Sequence, residues 1–184
     1  MALTESNMLD LGVQAPDFAL LDTISGQEMS LDDIKSDKAT VIMFTCNHCP
    51  YVIHINEALV KIATEYQAKG VAFVAISSNN VDKYPQDSPE KMKELAEEEG
   101  YPFPYLYDAT QVVAKLYDAA CTPDFYIFDG ELALRYRGRL GPSRPNTGVP
   151  VTGADLRTAL DALLEGKAVP EKQYPSAGCN IKWK

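Results

Sequence analysis

The sequence predicts a single α/β domain over residues 1–184: a central mixed β-sheet with helices on both faces, an N-terminal β-hairpin and one inserted helix. Three observations carry this expectation. Val41-Ile42-Met43-Phe44 and Val71-Ala72-Phe73-Val74-Ala75-Ile76 are short continuous apolar runs, the pattern of strands covered on both faces. The segment between them repeats apolar residues at three- and four-residue steps, so a helix joins them as a parallel pair. Two later runs flank Asp129-Gly130 as an antiparallel hairpin.

Taken in order, residues 17–22 and Ser30-Leu31 flank Gly26 and form an entry hairpin. The first buried strand ends just before Cys46. Pro50 suits the first turn of the next helix, where no intrahelical N–H is needed. Val52, Ile55, Leu59, Ile62 and Tyr66 then share one helical face, and Gly70 stops it. Ser88-Pro89-Glu90 opens the inserted helix, which Gly100 closes. Thr110 is the expected cap of a short helix through Val113 and Leu116. Phe125–Phe128 and Leu132–Tyr136 are the late hairpin strands. A final helix starts near Thr152 and presents Leu156, Leu160, Leu163 and Leu164, with Gly166 after it. From about residue 167 onward, Pro170 and Pro175 suggest an irregular tail.

Composition narrows the function. With 46% hydrophobic residues the chain can bury a core without disulfide staples or structural metal. A net charge of −9 with no Lys/Arg-rich run disfavours nucleic acid and anionic membrane surfaces as partners. The N-terminal residues lack a basic and an apolar targeting region, so a cytoplasmic location is the expectation. Four cysteines are too few for a disulfide scaffold, which makes any disulfide here transient and catalytic.

Cys46-Asn47-His48-Cys49 carries the chemistry. Two cysteines three positions apart at a helix start can close a small disulfide ring, and the helix end favours a thiolate there. Cys46 is the expected nucleophile and Cys49 the resolving thiol. His48, protonated or donating, would hold the Cys46 thiolate, stabilise the reduced form and make the disulfide more oxidising. Zinc is the competing reading of the pair, but Cys121 and Cys179 are isolated and a strand–Cys-X-X-Cys–helix context is the redox arrangement. No metal and no cofactor are expected beyond a Cys46–Cys49 disulfide.

Ala15-Pro16-Asp17-Phe18, Cys46-Asn47-His48-Cys49-Pro50, Thr122-Pro123-Asp124-Phe125 and Gly138-Arg139 together resemble the thioredoxin superfamily, and within it the peroxiredoxin-like branch related to alkyl hydroperoxide reductase and thiol-specific antioxidant. The resemblance implies a thioredoxin-like fold. It also implies a cis Pro123 packed against the cysteine pair, with the Thr122 backbone free to pair with an extended substrate. Thr45 stands where thioredoxins carry Trp, and Thr40 where they carry a buried acid. Cys49 falls at the peroxidatic position of peroxiredoxins, with Ile42 and Cys46 replacing that family's Pro and Thr/Ser.

Asn47, Thr122 and Arg139 are the expected substrate contacts, Arg139 because the late hairpin carries it back toward the cysteines. Cys121 and Cys179 have two readings: a second redox pair, or a small buried hydrophobe and an inert tail thiol. Three functions remain. The leading one is a thiol–disulfide oxidoreductase with a disulfide-containing protein or small molecule as substrate and a thiol as electron donor. The others are a peroxidase with Cys49 peroxidatic and Cys46 resolving, and a redox-sensing binding protein without turnover.

Overall fold

The computed structural model describes residues 3–184. Strand β1 (Leu3–Glu5) precedes the expected hairpin of β2 (Ala19–Asp22) and β3 (Glu28–Ser30). Ser30 caps the one-turn helix α1 (Leu31–Ile34) through a reciprocal bond with Asp33. Strand β4 (Ala39–Phe44) leads to helix α2 (Pro50–Gln67) and then β5 (Val71–Ser77). Beyond β5 come a single 3₁₀ turn (Pro85–Asp87) and the inserted helix α3 (Pro89–Glu99), capped by Ser88 and ended by Gly100 at φ 68°. Strand β6 (Tyr105–Tyr107), helix α4 (Val112–Leu116) and strand β7 (Cys121–Thr122) follow. The late hairpin is β8 (Asp124–Asp129) with β9 (Leu134–Gly138), before α5 (Ala154–Leu164) and β10 (Ala177–Asn180).

Seven strands form one mixed sheet in the order β3-β2-β6-β5-β4-β8-β9. β4 and β5 are parallel, in register from Ala39↔Val71 to Phe44↔Ile76, and β8 runs antiparallel on the other side of β4. Every residue of β4 is buried because both faces are covered. Val41 and Met43 join Ile55, Ile62, Phe125 and Leu160 in one layer, whereas Ile42 and Phe44 join Val74, Tyr117, Tyr126 and Phe128 in the other. The strict alternation of a pleated strand divides the core in this way. Each such side chain contributes about 1.5–3 kcal/mol on full burial.

Two expectations are corrected. Gln111, not Thr110, sits at the N-cap of α4, in the left-handed region at φ 64°. Its amide is used elsewhere, donating to Ser78 O at 2.7 Å and Lys182 O at 2.9 Å. The tail is not irregular throughout either. Its β10 lies between β1 and β7 in a second, three-stranded antiparallel sheet. Gly138, at φ 130°, lets the tail pass close over β9, because a side chain there would strike the Tyr174 carbonyl. No helix among the described residues is long and apolar enough to cross a membrane.

Candidate active site

The end of β4 delivers the chain into Thr45–Cys49, and Pro50 at the first helical position makes Cys49 the N-cap of α2. The two cysteines therefore do not share a helical turn. Cys46 lies upstream in the loop, while Cys49 sits at the helix end with no side-chain cap on the first N–H groups. Both sulfurs are sealed, with Cys46 1% and Cys49 0% exposed. All four cysteines are free thiols.

Thr122 touches both sulfurs. Its hydroxyl lies 3.6 Å from Cys46 Sγ, and its carbonyl accepts from the Cys49 thiol at 3.4 Å. The Thr122–Pro123 bond is cis, in the geometry that the resemblance implies. Gly178 to Asn180 of β10 lie along this same edge, with Cys179 opposite Thr122. Cys179 Sγ is 2.7 Å from Cys49 Sγ and is itself 3% exposed.

These neighbours reverse the expected division of charge. The Cys49 thiol is lowered to about 5, first by its hydrogen bond with Cys46 and then, against the cost of burial, by the neighbouring Cys179. Cys46 is pushed well up by that same hydrogen bond, by burial and by the negative charge of Asp87. The sequence expects the thiolate on Cys46, whereas Cys49 is the lowered thiol of the pair and Cys46 has the Thr122 hydroxyl 3.6 Å away.

Asp87 is the participant that sequence reasoning misses. It is fully buried and accepts from the Asn47 N–H at 2.8 Å and from Asn79 Nδ2 at 2.9 Å. His48 Nδ1 lies 2.6 Å from Asp87 Oδ2, although the ring N–H is not aimed along that line, and Nε2 has no partner. The His48 ring stacks on Tyr84 at 5.4 Å and 6°. Cys46 Sγ, a His48 ring nitrogen and an Asp87 oxygen lie within 4.8 Å of one another. That set of donors would suit a thiophilic cation such as zinc. It equally sets a thiol beside an imidazole and a buried carboxylate.

Other predicted contacts are committed elsewhere. The Asn47 side chain accepts from Tyr105 Oη at 2.9 Å and donates to Gln86 O at 2.9 Å, so it braces the loop instead of facing substrate. Arg139 pairs with Asp155 at 2.6 Å and covers the Tyr174 ring at 4.4 Å. It lines a shallow cleft with Pro123, Tyr51, His54 and Arg144 instead of touching a sulfur. His54 Nε2 meets Ser143 Oγ at 2.8 Å. Thr40, in place of an acid, accepts from the Ser36 N–H at 3.0 Å.

Cys121 is not paired with Cys179. In the register of β7 with β10, Cys121 is opposite Asn180 and Cys179 opposite Thr122, so the two sulfurs project to opposite faces. Cys121 is completely buried, its thiol pushed up by desolvation and set near the carbonyls of Pro123 and Ser176.

Comparison with known proteins agrees with this construction. An uncharacterized conserved protein from Geobacillus kaustophilus is 65% identical, superposes with a TM-score of 0.99, and matches over 100% of this chain and 97% of its own. A hypothetical protein from Sinorhizobium meliloti 1021 is 48% identical over 98% of each chain, with a TM-score of 0.96. The thioredoxin domain of a thiol-disulfide oxidoreductase from Bacteroides vulgatus is 21% identical, covers 72% of this chain and 91% of its own, and shares the fold at a TM-score of 0.61. No curated protein matches this chain. Residues 11–137 match the AhpC/TSA family, and they span β2 to β9 with both cysteines of the pair and the cis-proline. The chain belongs to the AhpC/TSA family and carries its thiol redox chemistry on a thioredoxin-like fold.

Proposed function

We propose that the chain is a thiol–disulfide oxidoreductase working through Cys46 and Cys49, with a disulfide-containing protein or small molecule as substrate and a thiol as electron donor. The observation that carries this reading is the Cys46–Cys49 pair at the start of α2, with both sulfurs buried against Thr122 of the cis-proline turn. The Cys49 thiolate attacks one sulfur of the substrate disulfide and releases the other as a thiolate. Cys46 then gives up its proton, with the His48 ring and the Asp87 carboxylate within 4.8 Å to take it, and attacks Cys49 Sγ. The second substrate thiolate leaves, and the Cys46–Cys49 disulfide remains for the thiol donor to reduce. A stabilised thiolate favours the reduced dithiol, which makes the disulfide an oxidising one.

One observation favours a second reading. The charged sulfur is wholly enclosed, which suits a substrate as small as a peroxide. Cys49 would then be oxidised to sulfenic acid with release of an alcohol or water, and Cys46 would condense with it to a disulfide and water.

Turnover assays separate the two. The proposal expects dithiol-driven reduction of insulin or a small disulfide that is lost in Cys49→Ser, with peroxide consumption slower than disulfide turnover. Peroxide turnover exceeding disulfide turnover, equally dependent on Cys49, would transfer the assignment to the peroxidase. State-dependent capture of a partner with no turnover of either substrate would favour the sensor. The cytoplasm remains the proposed location.

A further inference from the structure

We propose that Cys179 is a third redox-active cysteine, and that the C-terminal strand β10 occupies the place of a substrate chain and exchanges disulfides with Cys49. The inference rests on the Cys46–Cys49 reading above and extends it. The residue before the cis-proline is where an extended substrate would add as a strand. Here the protein fills that edge itself, pairing Cys179 with Thr122 in antiparallel register. Gly178 makes the seat fit, since any side chain there would land on the Thr122 carbonyl oxygen. Ile181 N–H donates to Ala120 O at 3.0 Å, and Lys182 N–H to Asn79 Oδ1 at 2.8 Å, fixing the strand just beyond the cysteine. The result is a sulfur 2.7 Å from Cys49 Sγ, inside the same buried cluster as Cys46.

The exchange starts from the Cys46–Cys49 disulfide. Burial holds Cys179 as a thiol, pushed up to about 12, so its proton passes to the departing sulfur as it attacks Cys49 Sγ; the Cys49–Cys179 bond forms as the Cys46–Cys49 bond breaks, and the electron pair leaves on Cys46. The proton given up by Cys179 ends on Cys46. One disulfide replaces another, so no oxidant or reductant is consumed. The exchange frees Cys46 beside His48 and Asp87 and ties β10 covalently to the start of α2.

The test is disulfide mapping of the full chain after oxidation with diamide, acid quenching, alkylation and trypsin digestion. Cys46 and Cys49 share the peptide 39–61, Cys121 lies in 116–135 and Cys179 in 173–182. In Cys46→Ser, the expected result is loss of two of the three remaining thiols, with 39–61 cross-linked to 173–182. In the parent the same cross-link appears beside an internal bond in 39–61. A Cys179 that stays alkylatable in oxidised Cys46→Ser and parent alike, or that links to 116–135, overturns the proposal. Cys179→Ser judges the underlying reading separately: it should retain the internal bond in 39–61, and without that bond the Cys46–Cys49 assignment itself fails.

Discussion

Asp87 sets the character of the site at the scale of single residues. Its charge faces Cys46 and His48, and its two carboxylate oxygens also hold Asn47 and Asn79. Asp87→Asn should lower the Cys46 titration, which the Cys49 hydrogen bond and burial still hold above the ordinary thiol range, while slowing closure of the Cys46–Cys49 bond. Thiolate absorbance against pH, with stopped-flow oxidation, reads both effects. Asp124, next to the cis-proline, is a second buried acid, raised from 3.8 to about 7 by desolvation, against hydrogen bonds from Ser6 Oγ and Tyr126 Oη. Because the folded protein keeps this proton to a higher pH than the unfolded chain, its contribution weakens as pH rises from about 4 to about 7, by on the order of 4 kcal/mol. Cys49 acts in the opposite sense. Its thiol is lowered from 9.0 to about 5, so its contribution is full above 9 and is lost as pH falls through 5. Between pH 5 and 7 the two contributions oppose each other, so Asp124→Asn should make stability rise more steeply with pH there than in the parent, read by urea titrations. An unchanged pH dependence would place the titrating group elsewhere.

At the scale of elements, β10 decides whether the site is open. Gly178→Ala should force β10 away from Thr122, costing about 1–3 kcal/mol as an overpacked contact. It should also raise the alkylation rates of Cys49 and Cys179 well above the parent's, measured by mass spectrometry of the native protein. The same strand marks where the sequence stops being legible. β4, α2, β5, α3 and the β8–β9 hairpin announce themselves through apolar period, capping residues and turn glycines. β10 has four small or polar residues and no alternation, and its partners lie near the opposite terminus and at Cys121–Thr122. Its existence depends on pairings more than fifty residues away, which no local pattern encodes.

Across the whole molecule, the fold brings three distant segments to one point. The loop after β4 supplies Cys46, His48 and Cys49; the 3₁₀ turn between β5 and α3 supplies Asp87; the tail supplies Cys179. Only the first of these was readable from spacing. The Cys-X-X-Cys motif, the helix start and Pro123 identify the chemistry, but the position of the charge follows from neighbours that only folding assembles. The lowered Cys49 thiol and the contact of Cys179 with Cys49 share this origin. Both sulfurs are buried and Cys179 of the tail lies against Cys49, so a large disulfide should react more slowly than a small one unless the tail moves. With its Cys49 thiol lowered, the Cys46–Cys49 pair should be a two-electron couple biased toward its reduced form. A redox titration of Cys179→Ser in glutathione buffers, scored by the internal bond in peptide 39–61, tests it most directly. The expected result is one two-electron transition with a midpoint above the thioredoxin value of about −270 mV. A midpoint at or below that value, or no Cys46–Cys49 bond at any poise, would contradict it.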